Sequence, residues 1–126
     1  QPPAEWAGGH FNGRAVVTYD PRGGAGGSMR GLLQTLFHEA SHQFVSLTSS
    51  GVPSWLNEGL ASFFEGAELL SNGRVEWNLV APGRLMPLVD SLKTKPEALT
   101  SIITGQVDDY RIYYPYGWGI VYYLYN

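Results

Sequence analysis

Two histidines stand four residues apart, at positions 38 and 42, inside a stretch with strong helical periodicity. On an α-helix each residue advances by about 1.5 Å and about 100°, so side chains at i and i+4 lie on one face. Both imidazoles can therefore bind one metal ion, and Glu39, beside the first histidine, can take a proton from water at that ion. The chain is thus constrained to a fold in which this helix borders a cleft.

The surrounding apolar positions predict how this helix packs. It is expected to run from about residue 29 to residue 47, with Ser28 as its N-cap. Apolar residues recur along it at three- and four-residue steps, which predicts a wide buried face. The members of this face are Met29, Leu32, Leu33, Leu36, Phe37, Ala40, Phe44 and Leu47. The two histidines would then lie at the edge of the core.

A zinc site with three protein ligands and an open position needs one further ligand beside the histidines. Glu58 is the predicted third ligand, because Pro53 and the loop before it allow a second helix, from residue 55 to residue 64, to pack back on the first. Three other carboxylates compete for this place: Glu5, Glu65 and Glu68.

Two polar residues, Glu65 and Asn57, are expected to lie next to the metal ligands without binding the metal themselves. Glu65 lies two helical turns beyond Glu58 on the same face, so it can orient a histidine through a hydrogen bond instead of binding the metal. Asn57 is a polar neighbour of the third ligand. We therefore predict a supporting role for both.

The remaining segments complete an α+β prediction. Residues 14–20 are expected to form a strand after a loop-like start over residues 1–13. This strand can be an ordinary sheet strand or an edge that pairs with an extended peptide. A hairpin turn or loop is predicted at 71–74, short helices at 85–92 and 96–104, and a final helix, or alternatively a strand, at 116–124. The prediction is a small N-terminal sheet packed on the first helix, followed by a mostly helical C-terminal half.

Composition narrows the classes of partner. With 126 residues the chain fits one domain, which we expect to be cut from a longer protein. The net charge of −3 and the lack of a basic patch argue against nucleic acid, and no apolar run reaches the roughly 18 residues of a membrane span. There is no cysteine, which excludes disulfides and thiolate ligands. The compartment is not determined; an extracytoplasmic or secreted location is weakly favoured.

The segments HEASH at 38–42 and WLNEGLA at 55–61 resemble the motifs of the gluzincin metallopeptidases, the thermolysin-like superfamily. The second segment is especially similar to the aminopeptidase N family and to peptidase MA-like domains. This resemblance implies a zincin-like catalytic core that acts on peptide or protein substrates. It also implies one zinc ion held by His38, His42 and Glu58, with Glu39 as the catalytic base.

The C-terminal segment YPYGW at 114–118 is similar to the Tyr-x-x-Gly-aromatic segment of those aminopeptidases. There the tyrosine hydroxyl stabilises the oxyanion, a role that fits donor stabilisation of developing charge. By position the role carries over to Tyr114, with Tyr116 as the alternative.

One family feature is missing from the chain. The aminopeptidases carry a Gly-x-Met-x-Asn segment that recognises a free amino terminus, and the nearest glycine-rich piece, GGHFN at 8–12, does not match it. Aminopeptidase specificity is therefore not supported. The expected function is zinc-dependent hydrolysis of peptide bonds, and the alternative is a catalytically silent metal- or peptide-binding module. Larger family members have flanking domains, so the parent protein can have them too.

Overall fold

The computed structural model of the chain describes residues 9–18, 28–80, 82–106 and 110–126. Four strands in this part form two antiparallel pairs: β1 (Gly9–Phe11) with β2 (Val16–Thr18), and β3 (Glu68–Leu69) with β4 (Val75–Glu76). The helices are α1 (Met29–Thr48), α2 (Ser54–Glu65), α3 (Pro82–Thr94), α4 (Ala98–Ile103) and α5 (Tyr110–Tyr125). None of the helices in these ranges is long and apolar enough to cross a membrane.

The N-terminal strand pair packs on α1. In this pair His10 lies opposite Val17, and Gly9 lies against Thr35 of α1. A Cβ atom at Gly9 would come within 2.8 Å of Thr35 Cγ2, so the close contact requires glycine. The α+β class and the small N-terminal sheet are confirmed. The loop prediction for residues 9–11 is wrong, because pairing with β2 orders a glycine-containing segment that has little strand preference of its own.

The predicted start and end of α1 are confirmed, but the prediction that its whole apolar face is buried is partly wrong. Ser28 Oγ accepts a hydrogen bond from the Gly31 N–H at 3.0 Å, which caps the helix as expected. Phe44 and Leu47, however, are 66% and 79% exposed, and Met29 and Ala40 are also exposed. Helical spacing shows which side chains share a face but not how far neighbouring elements extend over it. In the described chain α1 packs against α2, β1 and β2, which leave part of this face uncovered.

Helices α2 and α5 form the most closely packed pair. A Cβ at Gly59 would lie 2.5 Å from Gly117 O, and a Cβ at Gly117 would lie 2.5 Å from Trp55 O. The two backbones therefore touch, and the neighbouring side chains of Phe63 and Trp118 are buried beside them. The final segment is thus a helix, as first predicted, and the strand alternative is wrong. This contact fixes α5 relative to the helix that carries Glu58.

The other predicted elements are present. The turn at 71–74 joins β3 to β4, and the helices expected at 85–92 and 96–104 correspond to α3 and α4. α3 begins earlier than predicted, at Pro82, which is well suited to a first helical turn because the N–H that proline lacks has no partner there. This earlier start brings Arg84 into a helix.

Candidate metal centre

Three side-chain atoms from two helices converge at one point. Nε2 of His38 and Nε2 of His42 lie 3.2 Å apart, and each is 3.5 Å from Oε2 of Glu58. All three side chains are nearly buried, with 11–14% of their surface exposed. The Pro53 region reverses the chain so that α2 packs on α1 and presents Glu58 to the two imidazoles. These residues can hold a metal ion together.

The separations of these atoms match a tetrahedral metal site. With bonds of 2.0–2.1 Å, two ligands at the tetrahedral angle are about 3.3–3.4 Å apart. The observed 3.2, 3.5 and 3.5 Å lie close to that value. Oε2 of Glu58 is buried and makes no hydrogen bond within the described structure. A buried carboxylate oxygen without a donor is costly, which indicates that a cation belongs beside it.

The other ring nitrogen of each histidine is held by a different acceptor. His38 Nδ1 lies 2.9 Å from Glu65 Oε2, and His42 Nδ1 lies 3.0 Å from Asn57 Oδ1. Both contacts favour a proton on Nδ1, which leaves the Nε2 lone pair directed at the convergence point. Three acceptors then face one another, and only a proton or a metal ion between them relieves the repulsion.

When no metal is bound, protons on the histidines relieve the repulsion among the three acceptors. Burial by itself would lower the pKa of His38, but the neighbouring carboxylates of Glu58 and Glu65 raise it to about 9. Burial likewise opposes the shift at His42, whose pKa is raised chiefly by Glu58. Burial would raise the pKa of Glu58, yet the two histidines lower it to about 2. The carboxylate therefore stays charged across the physiological pH range.

Glu39 follows His38 along α1, and Tyr114 contacts the His38 ring. Glu39 is half-buried. The ring of Tyr114, on α5, packs edge-on against the His38 ring with centroids 5.8 Å apart. Burial is the main cause that raises the pKa of Tyr114 to about 12, and the charges of Glu58 and Glu39 add to it. The phenol is therefore protonated at neutral pH and can donate a hydrogen bond.

The alternative tyrosine points into the core. Tyr116 is 2% exposed, packs against Ile102, and its hydroxyl donates to Lys95 O at 3.3 Å. Of the two tyrosines, it is thus Tyr114 that the structure brings to the histidines.

The family model described as "Protein of unknown function (DUF1570)" matches residues 32–126 of the chain. This range covers three quarters of the sequence and includes every predicted site residue. The chain belongs to the DUF1570 family. No curated protein and no solved structure matches it.

The competing carboxylates of this DUF1570 domain are engaged elsewhere or lie outside the described residues. Glu65 bonds His38 from the side away from the convergence point, and Glu68 pairs with Arg30. Glu5 is outside the described residues. His10, on β1, is not part of the metal-binding group.

Arg84 also belongs to this centre, although the sequence did not predict it. Arg84 Nη2, from α3, donates to both carboxylate oxygens of Glu65, at 3.2 and 3.1 Å. Its guanidinium carbon also lies 4.8 Å from the centroid of the Tyr114 ring. No spacing rule connects position 84 to positions 65 and 114, because three separate helices bring these residues together.

Proposed function

We propose that this domain is a zinc-dependent metallopeptidase of the gluzincin type. The observation that carries the proposal is the convergence of His38 Nε2, His42 Nε2 and Glu58 Oε2 at separations of 3.2–3.5 Å. Two imidazoles and one carboxylate are a ligand set found in catalytic zinc sites, which keep a fourth position open.

His38, His42 and Glu58 would hold the ion through the atoms that already converge. A bound zinc ion would make water nucleophilic at neutral pH and polarise the scissile carbonyl. Glu65 and Asn57 keep the imidazoles in the required tautomer by accepting from their Nδ1 atoms. The supporting contacts thereby fix the direction of both lone pairs.

Glu39 is assigned the proton transfers. Its carboxylate accepts a proton from the attacking water and then gives it to the nitrogen of the departing amine as the C–N bond breaks. The Tyr114 hydroxyl is assigned to the carbonyl oxygen, where a donor stabilises the negative charge that develops during attack. The half-buried setting of both groups strengthens these interactions by excluding part of the water.

The test is a substrate-profiling digest of the metal-loaded domain beside its Glu39→Gln variant. Metal content is measured for both proteins by elemental analysis, and cleavage of a broad peptide library is followed by mass spectrometry. We expect one zinc per chain in both proteins, cleavage by the native chain alone, and loss of cleavage with a chelator.

Two results would count against the proposal. Hydrolysis that survives in Glu39→Gln would remove the assigned base. Stoichiometric zinc without turnover in the native chain would favour the second candidate, a metal- or peptide-binding module, which rests on the same ligand group without the catalytic step.

A further inference from the structure

Four side chains from four helices, one of them the proposed ligand His38, form a closed ring of contacts. His38 of α1 bonds Glu65 of α2, and Glu65 bonds Arg84 of α3. Arg84 lies over the ring of Tyr114 of α5, and that ring packs against the ring of His38. Arg84 is therefore in contact with the support of a metal ligand and also with the proposed oxyanion donor.

We propose that Arg84 is a positioning residue of this site, which holds Glu65 for His38 and orients the ring of Tyr114. The inference rests on the proposed function for the Tyr114 half only. The Glu65 half concerns metal affinity and stands whether or not the domain cleaves peptides.

The contact with Glu65 explains why that carboxylate can serve His38. A partly buried carboxylate needs a positive partner, and Arg84 Nη2, which donates to both of its oxygens, opposes rotation of the carboxylate. With one oxygen fixed towards His38 Nδ1, the imidazole is held with Nε2 towards the other ligands. Loss of Arg84 would free Glu65 to rotate, and His38 would lose its orientation.

Arg84 also acts on the aromatic ring of Tyr114, independently of its contact with Glu65. A guanidinium over an aromatic face is attracted by the negative face of the ring and limits its rotation. Arg84 therefore orients the ring, and with it the hydroxyl that is assigned to the oxyanion.

The chain offers a matched control on the same cavity. Arg30 and Arg84 both line a cavity of about 650 Å³, and both pair with a glutamate. The partner of Arg30, however, is Glu68, for which the described residues show no hydrogen bond or ion pair with the histidines, and Arg30 is 72% exposed. Arg30→Gln thus removes a cation from the same cavity without touching the ring of contacts.

The first measurement is zinc affinity, determined by competition with a chromophoric chelator. Arg84→Gln should weaken zinc binding about 10-fold, the lower end of the effect of losing a metal ligand's support, and Arg30→Gln should leave it within about 2-fold. In a Glu65→Gln background, Arg84→Gln should weaken zinc binding further by less than about 2-fold, because Arg84 acts on His38 through Glu65. Equal effects of the two arginine variants, or additive effects with Glu65→Gln, would overturn the proposal.

The second measurement separates orientation from folding. In the metal-free protein, the Nδ1 proton signal of His38 in a nitrogen–proton NMR spectrum should weaken or shift in Arg84→Gln and stay unchanged in Arg30→Gln. Arg84→Lys keeps the charge without the planar fork, so it should recover part of the zinc affinity. If Arg84→Gln does not fold, Arg84→Met replaces it, with the same expected loss. An unchanged His38 signal in Arg84→Gln, or in Arg84→Met where that variant replaces it, would contradict the positioning role.

The third measurement concerns Tyr114 and requires turnover. At saturating zinc, Arg84→Gln should lower kcat more than Glu65→Gln does, with little change in KM, and this difference should vanish in a Tyr114→Phe background. If the native chain shows no turnover, the proposed function fails while the affinity measurement still decides the role of Arg84. A kcat difference that persists without the hydroxyl would remove Tyr114 from the role.

Discussion

His38 Nδ1 lies 2.9 Å from an oxygen of Glu65, so this candidate metal ligand is supported by a charged acceptor. The corresponding atom of His42 faces the neutral amide oxygen of Asn57 at 3.0 Å. A carboxylate makes the bonded imidazole a stronger base than an amide does, because it stabilises the proton on Nδ1 more strongly. As candidate ligands the two histidines are therefore unequal, and Nε2 of His38 is the stronger lone-pair donor to a metal ion.

Removal of the charge on Glu65 should weaken metal binding. We expect Glu65→Gln to reduce zinc affinity by about 10-fold, because the substituted amide accepts a weaker hydrogen bond from His38 and loses its ion pair with Arg84. The measurement is a chelator competition at fixed pH. Glu68→Gln is the control, since Glu68 pairs with Arg30 at the surface and should leave the affinity unchanged. Equal losses in the two variants would contradict the support by Glu65.

Metal binding should release protons. In the metal-free protein the pKa of His38 is about 9, so its imidazole carries an extra proton at pH 7 that a metal ion must displace. We expect release of about one proton or more per ion at pH 7, measured by calorimetry in buffers of different ionisation enthalpy. The apparent affinity should rise with pH up to about 9 and then level off. A binding heat that is independent of the buffer would contradict this expectation.

The raised pKa of His38 also makes the stability of the metal-free fold depend on pH. The folded pKa of His38 is raised above its ordinary 6.5, so its stabilising contribution is fully present below pH 6.5 and is lost as pH rises through about 9. Over this pH interval His38 should therefore contribute progressively less to the melting temperature of the metal-free protein. His38→Gln should reduce the dependence of the melting temperature on pH. If the melting temperature of His38→Gln depends on pH in the same way as that of the native chain, His38 is not the source of this dependence.

Local sequence signals were sufficient for the parts of the site that lie close together in the chain. The four-residue spacing of His38 and His42 and the cap at Ser28 predicted α1, and both limits of the helix follow that pattern. The Pro53 reversal before a second amphipathic segment explained how Glu58 can reach the histidines. These inferences depend on helix geometry and on one turn, which the local sequence encodes.

Long-range packing accounts for what the sequence could not predict. Arg84 reaches Glu65 and Tyr114 only because α3 packs beside α2 and α5, and no periodicity encodes that arrangement. The exposure of Phe44 and Leu47 has the same origin, since a helical pattern does not state which of its faces a neighbour covers. β1 was missed because a strand of three residues depends on its partner more than on its own composition.

The Tyr114 hydroxyl should matter for catalysis and little for metal binding. If it donates to the oxyanion, Tyr114→Phe should lower kcat by about 10²–10³-fold and leave zinc affinity and KM nearly unchanged. Steady-state kinetics at saturating zinc measure this. Tyr116→Phe removes a hydroxyl from the same helix, but one that bonds Lys95 O in the core. It should cost about 1 kcal/mol of stability with full activity, and the reverse pattern would exchange the two roles.

The contact between Gly59 and Gly117 should be intolerant of a single methyl group. A Cβ at Gly59 would lie 2.5 Å from a backbone oxygen of α5, which cannot move without separating the helices. We expect Gly59→Ala to destabilise the domain by about 3 kcal/mol or more, and to weaken zinc binding because Glu58 is the preceding residue. Thermal unfolding followed by circular dichroism measures the first effect. Gly83→Ala, where a Cβ meets no atom within 4 Å, should leave the melting temperature unchanged or raise it. Equal stability of the two variants would mean that α2 and α5 are not in backbone contact.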